Sequence, residues 1–380
     1  FFVNDIDGLA AYDVRDCKKV VRFGRPTAGQ LLHLVLAPKG DRLALGSAQG
    51  HITICDPNGQ PIPAAWQPLK FSDDPAKASV THPGCFRQLA WHPDGRHLLA
   101  VQGDGAGMTV ALFDTVDGKQ VTATKYELER FNPHFFALFA PDDPDTIIFM
   151  HSGQSALWRW KLERAPASRF DGFLGQAYVS PDHKALLSRV AGKNPPDTIP
   201  VLVSTDLKTR TPFPELASAP EKALAWLADG KHFLAPTNPL SIRSLDGKLV
   251  DEIPAVKEVD TSWTVSWTPA PDRKSLLGRA GNQCFLLDLA AKKLAPLPQI
   301  KADNVVFSPD GKRLIGASGS TLLYWNYQTK ELEQIVLLLP EQQFAVFSPA
   351  GEVLARSKDA ERHYRYVVED KTGRLHLQTS

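Results

Sequence analysis

Cysteine is scarce: Cys17, Cys55, Cys85 and Cys284 are the only thiols in 380 residues. No two of them form a CxxC pair, which argues against a zinc ribbon and a thioredoxin-like redox motif. Such thiols are expected to fill core space as small apolar groups. A single disulfide stays open for an exported chain. Excess charge of one sign is also lacking. The 43 basic and 42 acidic residues leave a net charge of +1, with no run of five or six like charges. A nucleic-acid partner, which needs a basic excess or stripe, is therefore not expected. Neither is a basic helix lying on a membrane. One apolar run, Ile335 to Leu339, stops at Pro340, and no apolar run in the chain exceeds six residues. A membrane-spanning helix needs roughly 18 such residues, so direct membrane insertion is not expected.

The common catalytic strings are missing as well. There is no Walker loop, no GxGxxG and no HExxH among the 11 histidines. Gly316-Ala317-Ser318-Gly319-Ser320 lacks the last glycine of a hydrolase elbow, and that elbow belongs on a strand-to-helix turn. Asn4-Asp5-Ile6-Asp7-Gly8 has Val3 and Val14 where a calcium loop needs acids. It reads as a polar turn, as does Asp142-Asp143-Pro144-Asp145. His92 and His97 bracket a Pro-Asp-Gly turn and could meet across it at a metal, but they read as surface polar groups. The expectation is no catalytic residue, no cofactor and no metal. The chain opens Phe1-Phe2-Val3 without Met, which suggests that a leader, tail or further domain precedes it. A cytoplasmic location is favoured, with export left open.

Turns are abundant. The 26 glycines and 30 prolines are spread along the chain rather than gathered in a linker. One unit recurs. Val305-Val306-Phe307-Ser308-Pro309-Asp310-Gly311-Lys312-Arg313-Leu314-Ile315-Gly316-Ala317 reads as strand, turn, strand. Leu89 to Ala100 repeats it around Pro93-Asp94-Gly95. Further copies centre on Pro38, Pro141, Pro181, Ala228, Pro271 and Pro349, and the spacings between successive copies are 55, 48, 40, 47, 43, 38 and 40 residues. Pro presets φ, Asp binds its own backbone and Gly supplies positive φ. A second turn type, as in Val116-Asp117-Gly118-Lys119 and Leu245-Asp246-Gly247-Lys248, closes outer hairpins. A period near 40 to 45 residues with about four strands per unit marks a propeller blade. Trp91, Trp158, Trp160, Trp226, Trp267 and Trp325 recur at equivalent strand positions and are expected in the core.

These units resemble bacterial WD-repeat proteins. The resemblance rests on the strand–Ser-Pro-Asp-Gly–strand pattern and on Trp or Asp ending the third strand, as in Trp158-Arg159-Trp160, Tyr324-Trp325-Asn326, Phe113-Asp114 and Leu287-Asp288. A regular Gly-His pair before each blade, usual in the eukaryotic pattern, is lacking. The resemblance implies an all-β fold: one closed β-propeller of four-stranded antiparallel blades over residues 1–380. Eight blades are favoured, with seven as the alternative. Residues 1–24 are expected to join the ring closure and residues 363–380 to form a C-terminal hairpin. In a meandering blade the Pro-Asp-Gly and Asp-Gly-Lys turns share one face. The longer, irregular segments, Trp66 to Gly84, Gln102 to Gly107 and Ala191 to Pro200, share the other. Loops carry function more often than their scaffold, so a partner is expected on that second face, near Arg87, His134, Phe135, Arg189, Lys193, Trp263, Arg279 and Arg362. The expected function is a non-catalytic protein-interaction or scaffolding module, a subunit or domain of a larger bacterial assembly, with a protein partner. The alternatives are a propeller enzyme with an axial lactonase- or dehydrogenase-like site and a small-ligand sensor.

Overall fold

The turn strings form because each Asp is consumed locally. Asp310 Oδ1 accepts from the Lys312 N–H at 3.0 Å and from the Ser308 hydroxyl at 2.6 Å, while Ser308 Oγ accepts from the Arg313 N–H at 2.9 Å. Asp94 Oδ1 accepts from the N–H groups of Arg96 and His97 at 2.7 and 3.0 Å. Asp229 repeats this with Lys231 and His232 at 2.9 and 3.0 Å. Between Asp and the next strand the backbone turns left-handed, at φ +70° for Gly95 and +67° for Gly311. Glycine takes that conformation without a Cβ clash.

The computed structural model describes residues 2–5, 8–12, 19–22, 31–47, 52–62, 86–103, 107–127, 135–140, 142–151, 156–161, 168–171, 177–182, 184–191, 198–217, 224–235, 237, 239–254, 265–280, 283–339, 343–362, 366–369 and 375–378. Every sheet in it is an antiparallel meander. Sheet 1 has three strands, Leu31–Leu36, Leu43–Ser47 and Ile52–Cys55. Five four-stranded blades follow, and then a six-stranded sheet whose first four strands make a sixth blade. Sheet 2 runs from Phe86–Trp91 to Gln120–Glu127, and sheet 3 from Phe135–Ala140 to Ser168–Asp171. Sheet 4 runs from Tyr178–Val179 to Arg210–Pro212, and sheet 5 from Ala225–Trp226 to Leu249–Ile253. Sheet 6 runs from Val265–Pro269 to Lys293–Pro296, and sheet 7 from Asn304–Phe307 to Leu332–Leu338.

First strands of neighbouring sheets touch, as Leu31–Leu36 touches both Phe86–Trp91 and Asn304–Phe307, so first strands line the axis. Alternation along each strand sends apolar side chains to both sheet faces, and each core lies between two sheets. One core joins Ala44 and Ile54 of sheet 1 to Leu98 and Phe113 of sheet 2. Another joins Leu277 and Cys284 of sheet 6 to Leu314 and Trp325 of sheet 7. A third joins Leu31, Leu43 and Leu45 back to Ile315, Leu322 and Tyr324. The turns lean on each other in the same sense. A Cβ on Gly95 would touch Lys39, one on Gly230 would touch Asp182, and one on Gly311 would touch Pro271. Each time the neighbour belongs to the preceding sheet. Gly40 of sheet 1 would collide with Pro309 of sheet 7. Close approach fixes two other glycines. A Cβ on Gly316 would come within 2.6 Å of the Trp325 ring and 2.7 Å of Ala302, and one on Gly278 would collide with Phe285.

Of the eight units expected, six are four-stranded blades among the described residues. The first copy builds the three strands of sheet 1. The eighth, at Ser348–Gly351, lies in the hairpin Phe344–Phe347/Val353–Arg356, which pairs with Leu332–Leu338 and lengthens sheet 7 to six strands. A Cβ on Gly351 would meet nothing within 4 Å, so this turn stands apart from the others. Among the described residues no strand from the chain's start enters sheet 7. Sheets 1 and 7 meet by side-chain packing, by Leu31 N–H donating to Gly319 O at 2.7 Å and by Gln334 Nε2 donating to Asn58 O at 3.0 Å. Phe2–Asp5, Gly8–Tyr12 and Lys19–Arg22 pair with one another, and Tyr366–Glu369 pairs with Leu375–Gln378.

Candidate functional site

Of the expected binding residues, Arg87, Phe135, Arg189 and Arg279 lie on strands at the ends away from the Pro-Asp-Gly turns. Arg87 sits in the first strand of sheet 2, at the register shift between Phe86 and Gln88. Phe135 opens the first strand of sheet 3, opposite His151. Arg189 and Arg279 lie near the far ends of the second strands of sheets 4 and 6. Arg362 ends the short 3-10 turn after Val353–Arg356. These positions belong to different sheets. His134, Lys193 and Trp263 lie outside the described residues, as do the side chains of Arg87 and Phe135 and most of the long connections expected on this face.

Arg189 and Arg279 occupy matching registers, in Leu186-Leu187-Ser188-Arg189 and Leu276-Leu277-Gly278-Arg279. Arg189 is 4% exposed, and its Nη1 donates to the buried Thr198 hydroxyl at 2.9 Å. Burial pulls its guanidinium down to about 10, opposed by the Tyr178 ring oxygen nearby. At that value it is still a cation at neutral pH. Arg279 is half-buried and paired in register with Cys284. Burial pushes the Cys284 thiol up to about 11, with Arg279 pulling the other way. The Cys55 thiol is raised still further by burial and by Asp56. Neither sulfur is a thiolate near neutral pH, so neither is a ready nucleophile. Arg362 is exposed and forms a 3.3 Å ion pair with Asp359. The spacing of residues carried no sign of Thr198 or Tyr178 as neighbours of Arg189, because both reach it across strand pairings.

At the opposite end the turn residues serve the fold. Arg42 Nη1 reaches Thr115 Oγ1 of the next sheet at 2.9 Å, and Arg159 reaches Thr205 O of the next sheet at 2.6 Å. One turn is different. His92, Asp94 and His97 converge, with Asp94 Oδ2 3.0 Å from His92 Nδ1 and 2.6 Å from His97 Nδ1. Burial raises the Asp94 carboxyl. That is outweighed by the His97 and Arg96 N–H groups and by both imidazoles, which hold it well below the usual carboxylate range. The two histidines were legible as neighbours across the turn. Asp94 read only as a turn residue.

Residues 34–133, from the first strand of sheet 1 into the segment after sheet 2, match the family model described as the anaphase-promoting complex subunit 4 WD40 domain. The same strand–turn–strand unit continues through sheets 3 to 7. The chain is a WD40-like β-propeller protein. This WD40-like propeller is also similar to solved structures. Dihydro-heme d1 dehydrogenase NirN in complex with DHE is 18% identical with a TM-score of 0.52, over 88% of this chain and 72% of that one. Kuenenia stuttgartiensis hydrazine synthase is 14% identical with a TM-score of 0.53, over 90% of this chain and 100% of that one. At these identities the likeness is one of fold alone. No curated protein matches the WD40-like chain by sequence.

Proposed function

We propose that this WD40-like propeller is a non-catalytic protein-interaction module, a subunit or domain of a larger assembly, whose protein partner docks on the face away from the Pro-Asp-Gly turns. The observation that carries this reading is the arginine pair. Desolvating a guanidinium is costly, yet Arg189 is buried and Arg279 holds the matching register half-buried. Arginine is enriched at protein interfaces, where its planar fork pairs with carboxylates and stacks on aromatics. The turn face spends its polar groups on its own turns and on adjacent sheets. The matched family model describes a WD40 domain of a complex subunit, which favours an assembly role. We read the ring as seven-bladed, with sheet 1 as the seventh member. The support is the packing of sheet 1 on both sheet 2 and sheet 7 and the isolation of the eighth turn.

The test is quantitative affinity purification of the full chain after cross-linking in its own cells. It compares wild type with the pair Arg87→Glu, Arg279→Glu and with Lys312→Glu on the turn face. A stoichiometric protein should fall at least about tenfold in the arginine variant, corresponding to about 1.4 kcal/mol, and stay constant in Lys312→Glu. Loss with Lys312→Glu alone would overturn the choice of face. A partner-free monomer that turns over a substrate would overturn the scaffold reading in favour of an enzyme.

A further inference from the structure

His92 is clamped between two sheets. Its ring stands edge-to-face on Phe139 of sheet 3, with centroids 4.7 Å apart. Its Nε2 lies 3.2 Å from the Pro144 carbonyl oxygen. A carbonyl can only accept, so Nε2 carries the hydrogen and the neutral ring keeps its lone pair on Nδ1. The Asp94 N–H donates to that Nδ1 at 3.2 Å, which agrees. Yet the Asp94 carboxylate oxygen Oδ2 also faces Nδ1, at 3.0 Å. The ring nitrogen and the carboxylate oxygen thus sit side by side, both able to take the same cation. Oδ2 cannot easily turn away, because Oδ1 is held by the Arg96 and His97 N–H groups at 2.7 and 3.0 Å. A proton on Nδ1 makes this contact a hydrogen bond, and a metal ion held by Nδ1 and Oδ2 would take the same place. A ring whose far N–H is fixed by a carbonyl is the usual arrangement of a metal-ligating histidine.

The third donor is already in place. His97 Nδ1 is 2.6 Å from the same Oδ2, and the two imidazoles stand edge-to-face with centroids 5.8 Å apart. The ligand atoms of the three residues all lie within 4.8 Å of one another. Bonds of about 2.0–2.2 Å to zinc put tetrahedral ligand atoms about 3.3 Å apart, so the 3.0 Å His92 contact must open by about 0.3 Å and the 2.6 Å His97 contact by about 0.7 Å. Asp94 and His97 are partly exposed and can make that adjustment. The proton on His97 Nδ1 moves to Nε2, and both rings then bind as neutral imidazoles.

Sheet 5 supplies an internal comparison. Its turn repeats the Asp–His pair, with Asp229 Oδ2 2.5 Å from His232 Nδ1. Leu227 stands there in the place of His92, so that turn has only two of the three ligands. The pair alone is ordinary turn chemistry, and His92 is what turns it into a three-ligand cluster.

We propose that His92, Asp94 and His97 bind one divalent late first-row transition-metal ion of the zinc class, through two imidazole nitrogens and one carboxylate oxygen. The open coordination position is left to water or to a side chain of a docking molecule. Imidazole with carboxylate suits zinc, nickel and copper better than magnesium or calcium.

The experiment is zinc equilibrium dialysis of the full chain at pH 7.5, with metal counted per chain. Wild type is compared with His92→Leu, which copies the sheet 5 turn, and with His97→Gln and His232→Ala. Wild type and His232→Ala should hold one equivalent more than His92→Leu and His97→Gln. Cobalt substitution should give visible d–d bands in wild type that both ligand variants lose. Circular dichroism checks folding, and His97→Gln, changed on the more exposed ring, serves if His92→Leu does not fold. Equal zinc in wild type and both ligand variants would overturn the proposal, as would loss of the extra equivalent in His232→Ala alone.

Discussion

Arg273 stands where the other Pro-Asp-Gly turns have glycine. In Pro271-Asp272-Arg273 the backbone is left-handed, at φ +61°, close to the +65° to +72° of Gly40, Gly95, Gly230 and Gly311. The turn forms regardless: Arg273 N–H donates to Ala270 O at 2.9 Å, and Asp272 Oδ1 accepts from the Lys274 N–H at 2.9 Å. The Cβ of an L-residue in this region costs roughly 1–2 kcal/mol. Glycine removes that strain but gives the unfolded chain more freedom, worth about 0.5–1 kcal/mol. Arg273→Gly is therefore expected to stabilise the protein by about 0.5–1 kcal/mol. Urea unfolding should show a raised midpoint with an unchanged slope. A lowered midpoint would mean that the arginine side chain earns more from its surroundings than the turn loses in strain.

The outer hairpin turns carry a pH signature. Asp206 is drawn down to about 2 by the Ser204 hydroxyl and then by the Lys208 N–H and ammonium. Asp246 is drawn down to about 2 by the Lys248 ammonium and then by the Ser244 hydroxyl. Both folded values lie below the roughly 3.9 of an unfolded aspartate. Their contribution is therefore complete above about pH 4 and is lost as pH falls toward 2. The double variant Asp206→Asn, Asp246→Asn should melt below wild type at pH 7, and the gap should close between about pH 4 and pH 2. Raising the salt should narrow it at pH 7, since Lys248 and Asp246 meet in solvent. Thermal melts across pH check this, and a gap that persists at pH 2 would contradict it. The same locality explains what the sequence revealed. Ser-Pro-Asp-Gly strings report turns because their hydrogen bonds close within five residues. Which sheet a hairpin joins is decided by a free strand edge elsewhere, so Ser348–Gly351 looked like an eighth blade and instead lengthens sheet 7. Arg189 was legible as a residue near a loop, but its burial beside Thr198 and Tyr178 was not.

At the scale of the molecule, the seam between sheets 1 and 7 decides whether this is a ring or an open row. In an open row of repeats each unit answers only to its neighbours, and the terminal units can fray. Here Leu31, Leu43 and Leu45 pack on Ile315, Leu322 and Tyr324, so the first and last sheets hold each other. Tyr324 is fully buried at this seam, beside Gly59 in the outer turn of sheet 1, where an added Cβ would lie 2.7 Å from its hydroxyl. That hydroxyl has no hydrogen-bond partner among the described residues. A buried polar group left unpaired costs about 1–3 kcal/mol. Tyr324→Phe keeps the ring in its slot and removes the unpaired oxygen, so it should stabilise the protein by about 1 kcal/mol. Because the seam couples the two ends, the whole urea transition should move together, read alike by tryptophan fluorescence and by circular dichroism. A shift in one probe alone would mean that the ends unfold separately and the seam does not bind them. A lower midpoint in both would mean that the Tyr324 hydroxyl donates a bond across the seam.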